Sequence, residues 1–304
     1  MKIIDFMGSR KLALAVSLLL ILVSIGSFIT RQLNWGLDFT GGTLVEVHYS
    51  DTADLGSIRT LLQDSGFAGA IVVAYGSDRD VMIRLPQGAS EADGPALLQA
   101  LQGGFAGQVE LRRTEFVGPQ VGDELREQGG LAMLLASGMI MLYISFRFQS
   151  KFALAAVIAL VHDVVITLGF FSVTGLEFNL TVLAAILAVI GYSINDTIVV
   201  FDRIRENFRK LRDTSVVATI NISLSETLGR TLVTSLTTVL VLAALALLGG
   251  DMIFGFAVAL LVGVAVGTYS SVYMASSLLL LLGVTRQDLV VPLKEGLDHD
   301  DQLP

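Results

Sequence analysis

A polytopic membrane protein of six transmembrane helices, with an α+β domain inserted between the first two, is the fold class this sequence predicts. Three observations predict it. Of 304 residues, 53% are hydrophobic and 16% charged, with a mean hydropathy of +0.71, values rarely met together in a soluble chain. Six apolar runs are long enough to cross a hydrocarbon core of about 30 Å as helix: Leu12–Ile29, Gly130–Phe146, Phe152–Val173, Leu180–Phe201, Thr231–Leu248 and Phe254–Leu282. The acidity is also localised, because residues 31–128 hold 14 acidic and 7 basic residues while the remainder holds 14 and 13.

The first run follows Lys2, Arg10 and Lys11, as a signal peptide would. It is too long for a signal core, and only Ser24-x-Gly26 resembles a cleavage site, so an uncleaved anchor is expected. Lys and Arg then set the orientation. The N-terminal segment has three, the Phe146–Phe152 loop two, the Asp202–Arg230 connection six and the tail two, whereas Thr174–Asn179 and Gly249–Ile253 have none. Both termini and both basic connections are therefore expected in the cytoplasm. The expected organisation is residues 1–30 as N-terminus and first helix, 31–128 as an exported domain, 129–283 as the other five helices with a basic cytoplasmic connection at 202–230, and 284–304 as a cytoplasmic tail.

Within the exported domain, Thr43–Tyr49 alternates as a strand and Ala53–Asp64 places Leu55, Ile58, Leu61 and Leu62 on one helical face. Ala70–Tyr75 and Asp80–Leu85 are strands, Glu91–Leu101 a helix, and Gln108–Val117 a closing strand. The order β-α-β-β-α-β is that of the split βαβ, ferredoxin-like unit. No phosphate loop is present, and His48 lacks Cys or His neighbours, so it is read as structural. Without cysteine there is no disulfide framework or thiol chemistry, and no metal or cofactor is expected. The acidic domain argues against nucleic acid as a partner.

Three ionisable residues interrupt the apolar helices. Asp163, beside His162, lies about 12 residues from Lys151, or about 18 Å deep. Asp196, beside Asn195, lies seven residues before Arg203, about 10 Å inside the cytoplasmic face, and Arg230 opens the fifth run at that face. Each such charge costs roughly 2.5–3.5 kcal/mol to insert, so it normally faces a bundle interior or a water path. Small and hydroxylated residues share their faces: Ala156, Ala159 and Thr167 with Asp163; Ala185, Ala188 and Tyr192 with Asp196; Thr234 and Thr238 with Arg230. His162 and Asp163 should point about 100° apart and not line one path. Two readings fit this spacing: a structural Asp196–Arg230 ion pair, or a carboxylate that binds and releases a proton during a conformational cycle.

The sixth run places Gly255, Ala259, Gly263, Gly267, Ser271 and Ala275 at an unbroken spacing of four, a smooth groove for close helix approach. Either static packing or a sliding contact would use it. Ile204, Phe208 and Leu211, and separately Val217, Ile220, Leu224 and Leu228, form apolar stripes expected to lie along the cytoplasmic membrane surface.

The stretches "NWGLDFTGGT" (Asn34–Thr43), "EFVGPQVGDEL" (Glu115–Leu125), "HDVVITLG" (His162–Gly169), "GYSINDTIVVFDRIRENFRK" (Gly191–Lys210) and "GRTLVTS" (Gly229–Ser235) resemble the SecF family of the bacterial Sec protein-export machinery. The resemblance runs from Met1 to about Leu282. Leu236 stands where the family often has glycine. The resemblance implies a non-enzymatic subunit that pairs with SecD in an assembly related to resistance-nodulation-division exporters. It implies association with the SecYEG channel, YajC, YidC and the translocating preprotein, in the lipid of the bacterial inner membrane. It also implies use of the proton-motive force, with Asp196 and Arg230 in proton transport, Asp163 supporting them, and Asn195 and Thr234 as polar neighbours. Gly36, Asp38, Gly41 and Gly42 form a structural motif in which the glycines suit positive φ or close backbone approach.

Other classes are weaker. A small-molecule or lipid exporter of the wider superfamily usually holds both six-helix halves in one chain. An intramembrane aspartyl protease needs two carboxylates at one depth, and these differ by about five residues, or about 7.5 Å. A purely structural scaffold for the Sec channel remains, and it predicts that Asp196 is dispensable.

Overall fold

A computed structural model describes residues 3–85, 90, 92–105, 109–211 and 213–285. Glu91, Gln108 and most of the expected tail (286–304) lie outside the described residues.

Six helices among the described residues are long and apolar enough to span a bilayer. They are α1 (Arg10–Thr30, extended back to Met7 by a 3₁₀ turn), α5 (Pro119–Arg147), α6 (Ser150–Thr174), α7 (Leu180–Lys210), α8 (Val216–Leu248) and α9 (Asp251–Tyr269). A π-turn, Ser270–Met274, joins α9 to α10 (Ala275–Leu281), which completes the sixth span. Local chemistry sets the boundaries. Pro119 opens α5 where its missing N–H costs nothing. Gly175, with φ +70°, closes α6. Asn179 and Ser215 accept from Val182 N and Ala218 N at 3.0 and 3.2 Å, starting α7 and α8.

The inserted domain contains β2 (Gly42–Tyr49), α3 (Leu55–Asp64), β3 (Ile71–Tyr75), β4 (Ser77–Leu85), α4 (Asp93–Gly104) and β5 (Val109–Val117). The sheet runs β3-β4-β2-β5 with every neighbour antiparallel, the ferredoxin-like order. Val45, Val47, Val81 and Ile83 face α3 and α4, where Ile58, Leu62, Leu97 and Leu101 complete the core. Gly76 alone, at φ +73°, turns β3 into β4, so β4 begins at Ser77 rather than Asp80. His48 hydrogen-bonds Asp80 across the sheet at 2.6 Å.

The junction between domain and bundle is built by the Asn34–Thr43 motif. β1 (Asn34–Trp35) pairs in parallel with β6 (Glu177–Phe178), which lies in the stretch expected to be a plain loop. α2 (Leu37–Thr40) follows, and Asp38 Oδ2 accepts from Leu180 N at 2.9 Å, tying the motif to the first turn of α7. Gly41 and Gly42 have φ +65° and +120°. Gly36 does not: its φ is −68°, and a Cβ there would come within 2.8 Å of Asn179 Cβ and Glu177 Oε1, so close approach is its constraint.

Two sequence expectations are corrected. The stripes bearing Ile204, Phe208, Ile220 and Leu224 do not form separate surface helices. α7 continues as far as Lys210 and α8 begins at Val216, so each stripe extends a spanning helix, and these residues bury against each other and against Phe6, Met7 and Phe148, because two apolar stripes on adjacent helices bury more by meeting than by lying flat. Arg230 therefore lies inside α8, which begins at Val216, instead of opening a helix. α5 starts at Pro119, so residues 119–128, expected within the exported domain, form the first turns of the helix that goes on to span the membrane.

Candidate functional site

The small-residue stripe decides how closely the central helices approach. A Cβ at Gly263 would overlap Val189, and one at Gly267 would lie 3.0 Å from Ser193 Cβ. These glycines thus seat α9 directly on α7. A strict spacing of four winds slowly round an α-helix. The π-turn, whose wider i→i+5 winding turns each residue by less, brings the stripe back, and Ser271 and Ala275 stay fully buried.

That close approach assembles a polar seam. Asp163 on α6 is 0% exposed and Asp196 on α7 is 4% exposed. Asp163 Oδ1 is 2.8 Å from His162 Nδ1, and Oδ2 accepts from the Ser193 hydroxyl. The expectation that His162 and Asp163 diverge is therefore corrected: Nδ1, the ring nitrogen nearer the backbone, reaches the adjacent carboxylate. One turn beyond Ser193, Thr197 Oγ1 donates to Ser193 O at 3.3 Å and meets Ser271 Oγ at 3.0 Å. The seam thus runs His162–Asp163–Ser193 across α6 and α7, then Thr197–Ser271 across α7 and the π-turn.

Asp196, beside Thr197 on α7, has its Oδ2 buried and unpartnered. Tyr192, Thr231, Ser270, Ser276 and Ser277 also keep buried hydroxyls without partners. A hydroxyl both donates and accepts, so buried hydroxyls inside a bundle suit water and proton exchange far better than lipid. Arg230 is the charge that bears electrostatically on Asp196, yet no ion pair joins them. Arg230 and Thr234 are exposed on α8, with Thr234 Oγ1 donating back to Arg230 O at 3.0 Å, and Asn195 is exposed as well. Asp163 and Asp196 are thus both buried, on α6 and α7, while Arg230, Asn195 and Thr234 are exposed. No hydrogen bond joins the two carboxylates, since the side-chain partners of Asp163 are His162 and Ser193.

Sequence reasoning missed Ser193, Thr197, Ser270, Ser276, Ser277 and Tyr269. Tyr269 stacks on His162 with centroids 6.4 Å apart, and its hydroxyl donates to Ala13 O at 2.6 Å on α1. The string "SSVYMASS" (Ser270–Ser277), four serines in an apolar span, was the available signal.

Residues 98–285 match the family model described as "Protein export membrane protein SecD/SecF, C-terminal", and residues 26–53 match the "SecD/SecF GG Motif". The chain is 53% identical to a Pseudomonas aeruginosa protein named "Protein translocase subunit SecF", over 95% of this chain and 94% of that one. The chain belongs to the SecF family. A protein of the same name from Escherichia coli O157:H7 is 42% identical over 100% of this chain and 96% of that one. The crystal structure of SecDF from Thermus thermophilus, titled a translocon-associated membrane protein, superposes with a TM-score of 0.83 at 38% identity. The SecF-family chain covers 39% of that structure, which covers 92% of it in turn. The GG motif match falls on Gly41 and Gly42, the two positive-φ positions of the junction.

Proposed function

We propose that this chain is the SecF subunit of a bacterial protein-export machine and that it works with a SecD subunit to convert the proton-motive force into preprotein movement. It acts as a transport subunit, not an enzyme. A role in protein export follows from family membership. The coupling to protons rests chiefly on one observation: Asp196 holds a buried, unpartnered carboxylate oxygen inside a membrane bundle. In this reading Asp196 is the proton carrier, Asp163 with Ser193 and His162 sets its polar surroundings, and Arg230 supplies the opposing charge. A proton moving down a membrane potential releases about 2.3 kcal/mol per 100 mV, enough to bias a conformational equilibrium.

A second six-helix half is part of the reading. Arg230 is exposed on α8 among exposed Leu232, Val233 and Leu236, and an arginine facing lipid at that level is unfavourable. The SecDF structure contains more than twice the length of this chain, room for such a half. Contacts with SecYEG, YajC, YidC and the preprotein complete the proposal. The Lys and Arg distribution supports both termini and the 202–230 connection in the cytoplasm, with the inserted domain in the periplasm, across the inner membrane.

The test replaces Asp196 by Asn in cells depleted of the native copy. Assembly with SecD should be normal and export stimulation lost, and Arg230→Ala should behave alike. Full export by Asp196→Asn under an intact membrane potential would leave only the scaffold reading.

A further inference from the structure

Where α5 ends against the far end of α7, Arg147, Asp202, Arg205, Glu206, Arg209 and Lys210 line an open pocket of about 430 Å³. Four cations face two carboxylates. Asp202 pairs with Arg147 at 2.7 Å and lies 3.5 Å from Arg205, and Glu206 pairs with Lys210 at 2.5 Å. This leaves a surplus of two positive charges. Arg209 has no carboxylate within ion-pair distance among the described residues, and Arg205 keeps a buried Nε without a partner. The ring of Phe148 lies 5.0 Å from the Arg147 guanidinium carbon and 5.3 Å from that of Arg205, holding both guanidinium groups beside the ring.

An apolar track leads away from the pocket. Leu135, Met139, Leu142 and Phe146 share one face of α5 and are all exposed, Phe146 by 84%. Eleven residues of helix separate the first from the last, about 16 Å, which is the depth of one leaflet. A cationic pocket at the membrane interface, with an acyl-length apolar face ending at Phe146 next to the lining residue Arg147, is complementary to a lipid with an anionic head and two hydrocarbon tails. We propose that this pocket binds an anionic phospholipid of the cytoplasmic leaflet, its phosphate on Arg205 and Arg209 and its chains along α5. The leaflet, though not the pocket, rests on the orientation proposed above.

Native mass spectrometry of the full chain in detergent, titrated with phosphatidylglycerol or phosphatidylcholine, tests it. Phosphatidylglycerol should be retained preferentially. Arg209→Gln, which breaks no ion pair seen in the structure, should weaken that retention about fivefold, and Arg205→Gln with Arg209→Gln should abolish the preference. Binding of phosphatidylcholine and the unfolding temperature in it should not change for Arg209→Gln. Equal retention of the two lipids, indifference to both variants, or displacement by inorganic phosphate alone would overturn the proposal. So would occupancy of the pocket by a copurifying acidic protein segment in place of lipid. The leaflet is read separately: Ser150→Cys, in a chain otherwise free of cysteine, should be labelled from the cytoplasmic side. Labelling only from the other side would overturn the orientation while the lipid titration still judges the pocket.

Discussion

Asp163 is a buried carboxylate with one partner on each oxygen. Its Oδ2 has Ser193 as partner and its Oδ1 has His162. Removing the serine hydroxyl leaves half of a fully buried carboxylate unsatisfied, and a hydrogen bond to a charged group contributes about 1.5–3 kcal/mol. Ser193→Ala should therefore lower stability by about that amount in detergent thermal unfolding, while Asp163→Asn with Ser193→Ala should cost less than the two changes added. Additive costs would mean that the pair is not coupled. Asp163, Asp196 and Arg230 were legible in the sequence because a charge inside an apolar run is expensive and hence conspicuous. Ser193 and Ser271 were not, since a serine hydroxyl can bond back to its own helix and costs little anywhere in a span. The His162–Asp163 contact was misread for a different reason: helical spacing describes Cα–Cβ directions, not the reach of a ring nitrogen.

At the scale of elements, the stripe of glycines on α9 and the capped start of α7 make separate claims. Gly263 lies against Val189, so Gly263→Leu has no space unless α9 withdraws from α7 and the seam with it. Overpacking of this kind costs about 1–3 kcal/mol or more, and the expected result is failed assembly, visible as loss of the folded peak in size-exclusion chromatography. Normal assembly would show that the two helices need not touch. The stripe was readable from its spacing; the π-turn after which its last members stay buried was not, because no residue type demands an i→i+5 turn.

Glu177, in β6 at the junction, titrates under local control. Burial pushes its carboxyl above the ordinary value of 4.5, and the Arg84 guanidinium and the Leu37 N–H oppose that shift, while Asp38 and Glu115 reinforce it. A carboxyl whose folded value is raised stabilises the fold below its unfolded value, and that contribution is lost as pH rises through the folded value. Unfolding followed at the junction by Trp35 fluorescence should thus show a loss of stability above pH 4.5 in the native chain. Glu177→Gln should remove that dependence, and an unchanged profile would show that Glu177 is not its source.

For the whole molecule, the inserted domain was the more legible half. Strand alternation and helix faces predicted the ferredoxin-like order, and the sheet has it, with Ile58, Leu62, Leu97 and Leu101 as the buried helical side. The bundle's six spans were legible from hydropathy, but not the long ends of α7 and α8, where charged residues lower the mean hydropathy while Ile204, Phe208 and Ile220 are fully packed. The junction was the least legible, because β1 and β6 are two residues each and lie more than a hundred positions apart. It matters mechanically: α7 is one 31-residue helix, bonded at its start to Asp38 of the GG segment and carrying Ser193 and Asp196 further along. A shift at Asp196 therefore has a continuous rod by which to reach the inserted domain.

The central claim is that Asp196 carries protons. Its most direct measurement is proton uptake by proteoliposomes holding the chain with its SecD partner, under an imposed membrane potential and read with an enclosed pH-sensitive dye. The account predicts a potential-dependent flux that Asp196→Asn abolishes while complex assembly is unchanged. An assembled Asp196→Asn complex conducting protons at the native rate would contradict it.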